Sequence, residues 1–206
     1  MDKGSTRLFD RAFGKAILGF PLFMAPFLAG WWTAYALAPG SEAAIEIGMA
    51  AGAVMGIAAN LLLLKKLSAK FYSLGSWAGI CLAGIYTIGI FGFFMGVPVF
   101  NPLVGVLAGV YIGRQASTLG YDAPRFSLRL RHTQVFLFLL LLMVCAASAV
   151  LALGDPYTAA NLEGMFSLNF QVTVPMLAGT VLLGGALLLG LQFLMVKASA
   201  AIAYKR

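Results

Sequence analysis

The chain has 206 residues, of which 61% are hydrophobic and only 10% are charged, and its net charge is +7. Soluble domains usually carry about 45–50% apolar and about 25% charged residues. This composition excludes an ordinary soluble domain and predicts an all-α integral membrane protein, because so apolar a chain could not cover its surface with polar groups in water.

Six apolar segments predict transmembrane helices, since a spanning helix needs about 20 apolar residues. Trp31, Trp32 and Tyr35 close the first segment, as an aromatic belt at the membrane surface would. The fourth segment is the shortest. We expect residues 1–206 to form a single transmembrane domain with helices at about 15–38, 43–64, 71–96, 101–118, 134–153 and 171–196.

Charge predicts the orientation of these helices, because Lys and Arg are retained on the cytoplasmic side of a membrane. With the N-terminus inside, all 14 Lys and Arg residues fall on the inner side, and six helices with N- and C-termini cytoplasmic preserve this separation. The basic inner face predicts contact with anionic lipids. Basic residues scattered over short membrane loops do not favour nucleic acid. The predicted outer loops carry only the acidic residues Glu42, Glu46, Asp155 and Glu163.

Two of the predicted helices contain glycines at steps of four residues, which keeps the glycines near one helix face. Glycine lets another backbone approach closely, and this contact favours helix association in lipid. We expect a compact, glycine-rich bundle held by helix packing, with an oligomer interface or a pore-lining surface as the alternatives. The two rows are Gly48, Gly52 and Gly56, and Gly105, Gly109 and Gly113.

Polar residues inside the apolar segments are the candidates for binding a substrate or ion. Asn60 and Asn101 extend the two glycine rows, and a buried carboxamide needs either an interhelical partner or a ligand. Glu46 lies about one turn inside the second helix, where an acid is costly and is a functional candidate by default. Its place near the outer end also allows it to reach water.

Arg114 poses the main structural question of the sequence. The helix from Asn101 to Gly113 is about 20 Å long at 1.5 Å per residue, whereas the hydrocarbon core is about 30 Å thick. Either the turn at Pro98–Pro102 lies below the outer surface, or Arg114 lies within the membrane, snorkelling or paired in the interior. Tyr111 and Gln115, four residues apart, share a helix side. The binding candidates are therefore Asn60, Asn101, Tyr111, Arg114, Gln115 and Glu46.

Sequence signatures of catalysis are absent. Cys81 and Cys145 lie in apolar segments, and His132 stands beside Arg131 at a predicted membrane edge, in no metal-binding pattern. There is no phosphate-binding loop, no nucleophile elbow and no zinc-protease motif. We expect no enzymatic activity, no catalytic residue, no metal and no cofactor.

The predicted plan leads to two main functional hypotheses. Six helices in 206 residues with both ends inside are similar in outline to the substrate-binding S-components of energy-coupling-factor transporters, an outline that several unrelated small transporters share. We expect a transport-type protein, a channel, carrier or substrate-binding transporter subunit for an ion or small solute, since broken helices at membrane depth often line cavities.

The main alternative is a structural or assembly subunit of a larger membrane complex with no transport activity, and a lipid-facing or regulatory protein is a third option. A homo-oligomer also fits the glycine rows. The small size favours the plasma (inner) membrane of a prokaryote.

Overall fold

The computed structural model describes residues 3–94 and 96–205, and the side chains among them except those of residues 3–7, 76 and 205. These residues form helices, and no strand occurs among them. Two short 3₁₀ turns, Phe71–Ser73 and Pro98–Phe100, flank the third α-helix. The α-helices are α1 Lys3–Leu37, α2 Glu42–Ala69, α3 Ser76–Phe93, α4 Leu103–Leu119, α5 Ala123–Gly154, α6 Thr158–Phe166 and α7 Val174–Lys205.

Within the described part of the chain, four helices are long and apolar enough to cross a membrane: Leu8–Leu37, Glu42–Ala69, Ala123–Gly154 and Val174–Tyr204. Their length and composition indicate a multi-pass membrane protein. A shorter apolar helix covers Trp77–Phe93, and α4 has 17 residues.

Several helix ends differ from the bounds expected from the sequence. Helix α1 begins at Lys3 rather than near residue 15, α5 begins at Ala123 rather than at residue 134, and α7 continues to Lys205. Hydropathy identifies the part of a helix that can lie in lipid. Polar residues on either side of that part can also be helical, so the helix can extend past the apolar segment. At α5 the Asp122 side chain caps the early start by accepting from the Arg125 N–H at 3.2 Å.

Two other segments also differ from the helices expected from the sequence. The apolar run at 71–96 contains a 3₁₀ turn and then α3, which ends at Phe93. The loop after α5 contains the helix α6, which the sequence did not predict. Helix α6 ends at Ser167, whose positive φ of 49° closes the turn.

The chain divides into two compact units, unit 1 from Met1 to Ile85 and unit 2 from Tyr86 to Arg206. In unit 1, α1 and α2 are antiparallel neighbours, with Gly30 against Gly48 at one end and Gly19 against Asn60 at the other. The 3₁₀ turn that follows α2 contacts the first part of α1, where the Tyr72 hydroxyl donates to the Asp10 carboxylate at 2.9 Å.

In unit 2, α7 lies at the centre of the packing. Helix α4 runs parallel to it, with Gly105 against Gln192 and Gly113 against Ala203. Helix α5 runs antiparallel to α7, because residues later in α5 contact residues earlier in α7. Leu137, Leu141 and Val196 are among the fully buried side chains.

Candidate functional site

The glycine row of α2 lies directly on the backbone of α1. A Cβ atom added to Gly52 would lie 2.5 Å from the Pro26 carbonyl oxygen, and one added to Gly56 would lie 2.7 Å from the Phe23 carbonyl oxygen. Real Cβ contacts do not fall below 3.0 Å, so a side chain at either place would force the two helix backbones apart. Gly48 faces Gly30 in the same way.

The glycine row of α4 lies on the backbone of α7. A Cβ on Gly109 would lie 2.5 Å from the Val196 carbonyl oxygen, and one on Gly105 would lie 3.0 Å from a Val196 methyl group. Gly113 approaches Ala200 and Ala203 as closely. Both rows therefore mark places where two backbones of the same chain meet.

Asn60 and Asn101 each hold together two segments of the chain. The Asn60 side-chain amide donates to the Gly19 carbonyl of α1 at 3.1 Å, and also to Gly56 on its own helix. The Asn101 amide follows the 3₁₀ turn and donates to the Thr87 carbonyl of α3 at 3.0 Å. The bonds to Gly19 and to Thr87 each join a side chain to the main chain of a different helix.

Gln134 and Gln192 make the same kind of bond between α5 and α7. The Gln134 amide donates to the Phe193 carbonyl at 3.4 Å, and the Gln192 amide donates to the Leu137 carbonyl at 2.9 Å. The two bonds run in opposite directions across one helix pair, and both glutamines are buried. We call the four side chains the carboxamide clips; they are Asn60, Asn101, Gln134 and Gln192.

One atom of these clips lacks a partner. Among the residues that the structure describes, the Asn101 side-chain oxygen is the buried polar side-chain atom with no hydrogen bond. Asn101 is only 1% exposed. An unsatisfied buried acceptor costs about 1–3 kcal/mol, so this oxygen is able to accept from a donor or a cation.

Tyr111, Gln115 and Arg129 form a polar cluster between α4 and α5. The Gln115 amide nitrogen donates to the Tyr111 hydroxyl at 3.3 Å, and an Arg129 guanidinium nitrogen donates to the Gln115 amide oxygen at 3.2 Å. Arg125 and Arg129 lie 4.4 and 5.5 Å from the ring centre of Tyr121, within the range of cation–π attraction.

The end of α7 closes this cluster. The Tyr204 hydroxyl donates to the Tyr121 carbonyl at 3.0 Å, and the Tyr204 ring stacks on Phe126 with the ring centres 4.2 Å apart. We call Tyr111, Gln115, Tyr121, Arg125 and Arg129 the arginine–tyrosine cluster. Together with Tyr204, this cluster joins the C-terminal part of α4, the start of α5 and the end of α7 through polar contacts. The carboxamide clips do not take part in these contacts.

Arg114 and part of the turn before α4 are buried within the protein, while Val99 and Phe100 of the turn are exposed. Arg114 is 6% exposed and Asn101 is 1% exposed, while α4 continues five residues past Arg114 to end at Leu119. Gly120 then adopts the left-handed conformation, with φ 65°, and its N–H bonds Ala116. The choice between a turn and an arginine sunken in the membrane stays a prediction, since these values describe burial by the protein itself.

The other candidates are not all brought together. Glu46 is exposed on the second turn of α2, and Asn60 lies 14 residues along the same helix, about 21 Å away by helical rise. Tyr111 and Gln115 do meet. Among the described residues no group of three His, Cys, Asp or Glu side chains could hold a metal.

Sequence reasoning overlooked Gln192 and gave Gln134 no role beyond starting a helix. Gln192 is a lone carboxamide among apolar residues, and Gln134 stands where the polar start of α5 meets an apolar run. A carboxamide beside an apolar run is the signal that could have found them. Comparison with family profiles, curated proteins and solved structures finds no match to this chain.

Proposed function

We propose that this chain is a non-catalytic structural or assembly subunit of a larger membrane complex. In this proposal it crosses the plasma membrane of a prokaryote six times, with both termini in the cytoplasm. The distribution of all 14 basic residues supports that topology. The helix directions agree with it, because α1 and α2 are antiparallel, α4 and α7 are parallel, and α5 opposes α7.

The carboxamide clips carry the functional proposal. All four carboxamide clips donate to main-chain carbonyls of another helix, whereas the buried Gln115 belongs to the arginine–tyrosine cluster. Interhelical hydrogen bonds and close glycine contacts are the two forces that associate helices in lipid. These polar groups thus serve helix pairing, which is what a scaffold needs.

The outward faces support a partner-facing role. On α2, Ile47, Val54 and Leu61 are 69%, 67% and 79% exposed, so one side of this helix packs on α1 while the other is open to lipid or to a neighbouring protein. Glycine contacts use little of the helix surface and leave these broad apolar faces for assembly.

The test is chemical crosslinking in native membranes followed by purification under mild detergent. We expect crosslinks from the outward face of α2, for example from a photoreactive residue at Val54, to one set of membrane subunits in fixed stoichiometry. A photoreactive residue at Leu64, whose side chain lies against Gly19 of α1, is the matched control and should not yield them. A chain that migrates alone and crosslinks only to lipid would contradict the proposal.

Transport of an ion or small solute is the second candidate, and the unsatisfied Asn101 oxygen favours it. Main-chain carbonyl oxygens at breaks in membrane helices coordinate sodium in known transporter folds, and the Asn101 amide offers a carbonyl oxygen of the same chemical type. Asn101 follows such a break, the 3₁₀ turn Pro98–Phe100.

If this second function holds, proteoliposomes should take up sodium ions and Asn101→Leu should reduce the rate at least tenfold. Asn161→Leu, an identical change on the exposed face of α6, is the control and should leave the uptake unchanged. Equal rates in empty liposomes and proteoliposomes would remove sodium transport from consideration.

A further inference from the structure

A groove of about 410 Å³ lies between α5 and α7 in unit 2. Its lining includes the exposed cations Arg131 and Lys197, the apolar side chains Val135 and Phe193, and the amide of Gln134. Neither helix is covered here by another described element of unit 2, since Val135 is 52% and Phe193 is 46% exposed.

The groove has a charged end and an apolar end. Arg131 and Val135 are four residues apart on α5, and Phe193 and Lys197 are four residues apart on α7, so each pair lies on one helix face. Because α5 and α7 are antiparallel, Arg131 lies level with Lys197, and Val135 lies level with Phe193. The two cations therefore mark one end and the two apolar side chains the other.

Charge around the groove has a single sign. Helices α4, α5 and α7 contain no Asp or Glu, so no acidic side chain of these helices competes for the two cations. An anionic ligand is thus favoured at the charged end. The basic residues of the three helices are Arg114, Arg125, Arg129, Arg131, Lys197 and Lys205.

We propose that this groove is a binding site for one anionic phospholipid. The headgroup phosphate lies between the Arg131 guanidinium and the Lys197 ammonium, and one acyl chain runs along Val135 and Phe193. Basic pockets between membrane helices bind anionic headgroups in this way, and Lys and Arg near helix ends place their charge at the membrane interface.

Gln134 lines the groove with an amide group of fixed orientation. It is 8% exposed, and one of its amide hydrogens is committed to the Phe193 carbonyl, which sets the orientation of the amide. The second hydrogen on the same nitrogen can donate to a phosphate oxygen. The clip that joins α5 to α7 thereby also holds the lipid, so the lipid would strengthen this helix pair.

The test measures lipid binding to the purified full chain by native mass spectrometry, with phosphatidylglycerol and phosphatidylcholine of equal chain length. We expect phosphatidylglycerol to bind more tightly. Arg131→Gln combined with Lys197→Gln should weaken phosphatidylglycerol by roughly 10- to 30-fold, from the contribution of each cation near an anionic lipid, and should leave phosphatidylcholine unchanged.

A matched control removes the same charge elsewhere. Lys65→Gln with Lys66→Gln, both exposed in unit 1, should change phosphatidylglycerol binding less than twofold. An equal loss in both double variants would show diffuse attraction to a basic protein and would overturn the site.

Two further arms separate a lipid from a soluble phosphate and guard against a folding defect. Soluble glycerophosphoglycerol at millimolar concentration should not displace the lipid, and displacement would overturn the acyl-chain half of the proposal. In the wild-type chain, a photoreactive phosphatidylglycerol should label peptides that contain Val135 or Phe193. Labelling confined to other helices would also contradict the site.

Discussion

Gly109→Ala is expected to lower the free energy of unfolding by about 1–3 kcal/mol, the usual cost of overpacking a closely packed interface. The new methyl group would lie 2.5 Å from the Val196 carbonyl oxygen and 3.1 Å from the Ala200 nitrogen. The new methyl group would also meet the Ser199 hydroxyl, which can rotate away, but these two neighbours are backbone atoms, which cannot. Helices α4 and α7 must therefore separate, and the contacts of the whole seam weaken together.

The measurement is an unfolding titration with SDS in mixed micelles, followed by far-ultraviolet circular dichroism. Tryptophan fluorescence is unsuitable, because Trp31, Trp32 and Trp77 all belong to unit 1. Gly184→Ala is the matched control: it lies on α7, where an added Cβ meets nothing within 4 Å. It should be neutral or slightly stabilising, since alanine is the better helix former. Equal destabilisation by both variants would mean that the close seam does not hold unit 2 together.

Gln115→Leu is expected to destabilise the chain by about 1.5–3 kcal/mol, the contribution of a hydrogen bond to a charged group. Gln115 is 3% exposed, accepts from Arg129 at 3.2 Å and donates to the Tyr111 hydroxyl at 3.3 Å. Leucine fills nearly the same volume but leaves the Arg129 guanidinium without this acceptor. The loss should therefore be electrostatic rather than steric.

The same unfolding titration checks this expectation with two companion variants. Gln115→Glu keeps an oxygen acceptor for Arg129 and should recover most of the lost stability, because a carboxylate accepts strongly from guanidinium. Gln171→Leu makes the identical change at an exposed position and should have little effect. If the glutamate variant is as unstable as the leucine variant, the link from Gln115 to Arg129 is not what stabilises the cluster.

The helical segments were largely visible in the sequence, because hydropathy is a local property. Each of the six apolar segments overlaps an α-helix, and four of these helices are long and apolar enough to be membrane spans. The helix ends were harder to place. Residues 123–133 include three arginines and one histidine, yet they belong to α5, because Asp122 and Pro124 start a helix irrespective of how apolar its first turns are.

The candidate site was visible only in part. Spacing placed Tyr111 and Gln115 on one side of α4, and the structure shows their hydrogen bond. The spacing of residues along α4 could not predict the contact with Arg129, which lies on the next helix, 14 residues after Gln115. Likewise the carbonyl partners of the four clips carry no sequence signature, since every residue has a carbonyl.

By itself the sequence determined the helical class, the membrane character of the chain and the positions of the two glycine rows, because composition and spacing act along a single segment. Tertiary structure alone decided which backbone each row meets: α1 for Gly48, Gly52 and Gly56, and α7 for Gly105, Gly109 and Gly113. It also decided that Arg114 and Asn101, toward opposite ends of α4, are each buried within the protein. The physical reason is that a small residue permits close approach by any helix, and the choice among helices depends on contacts between residues distant in the chain.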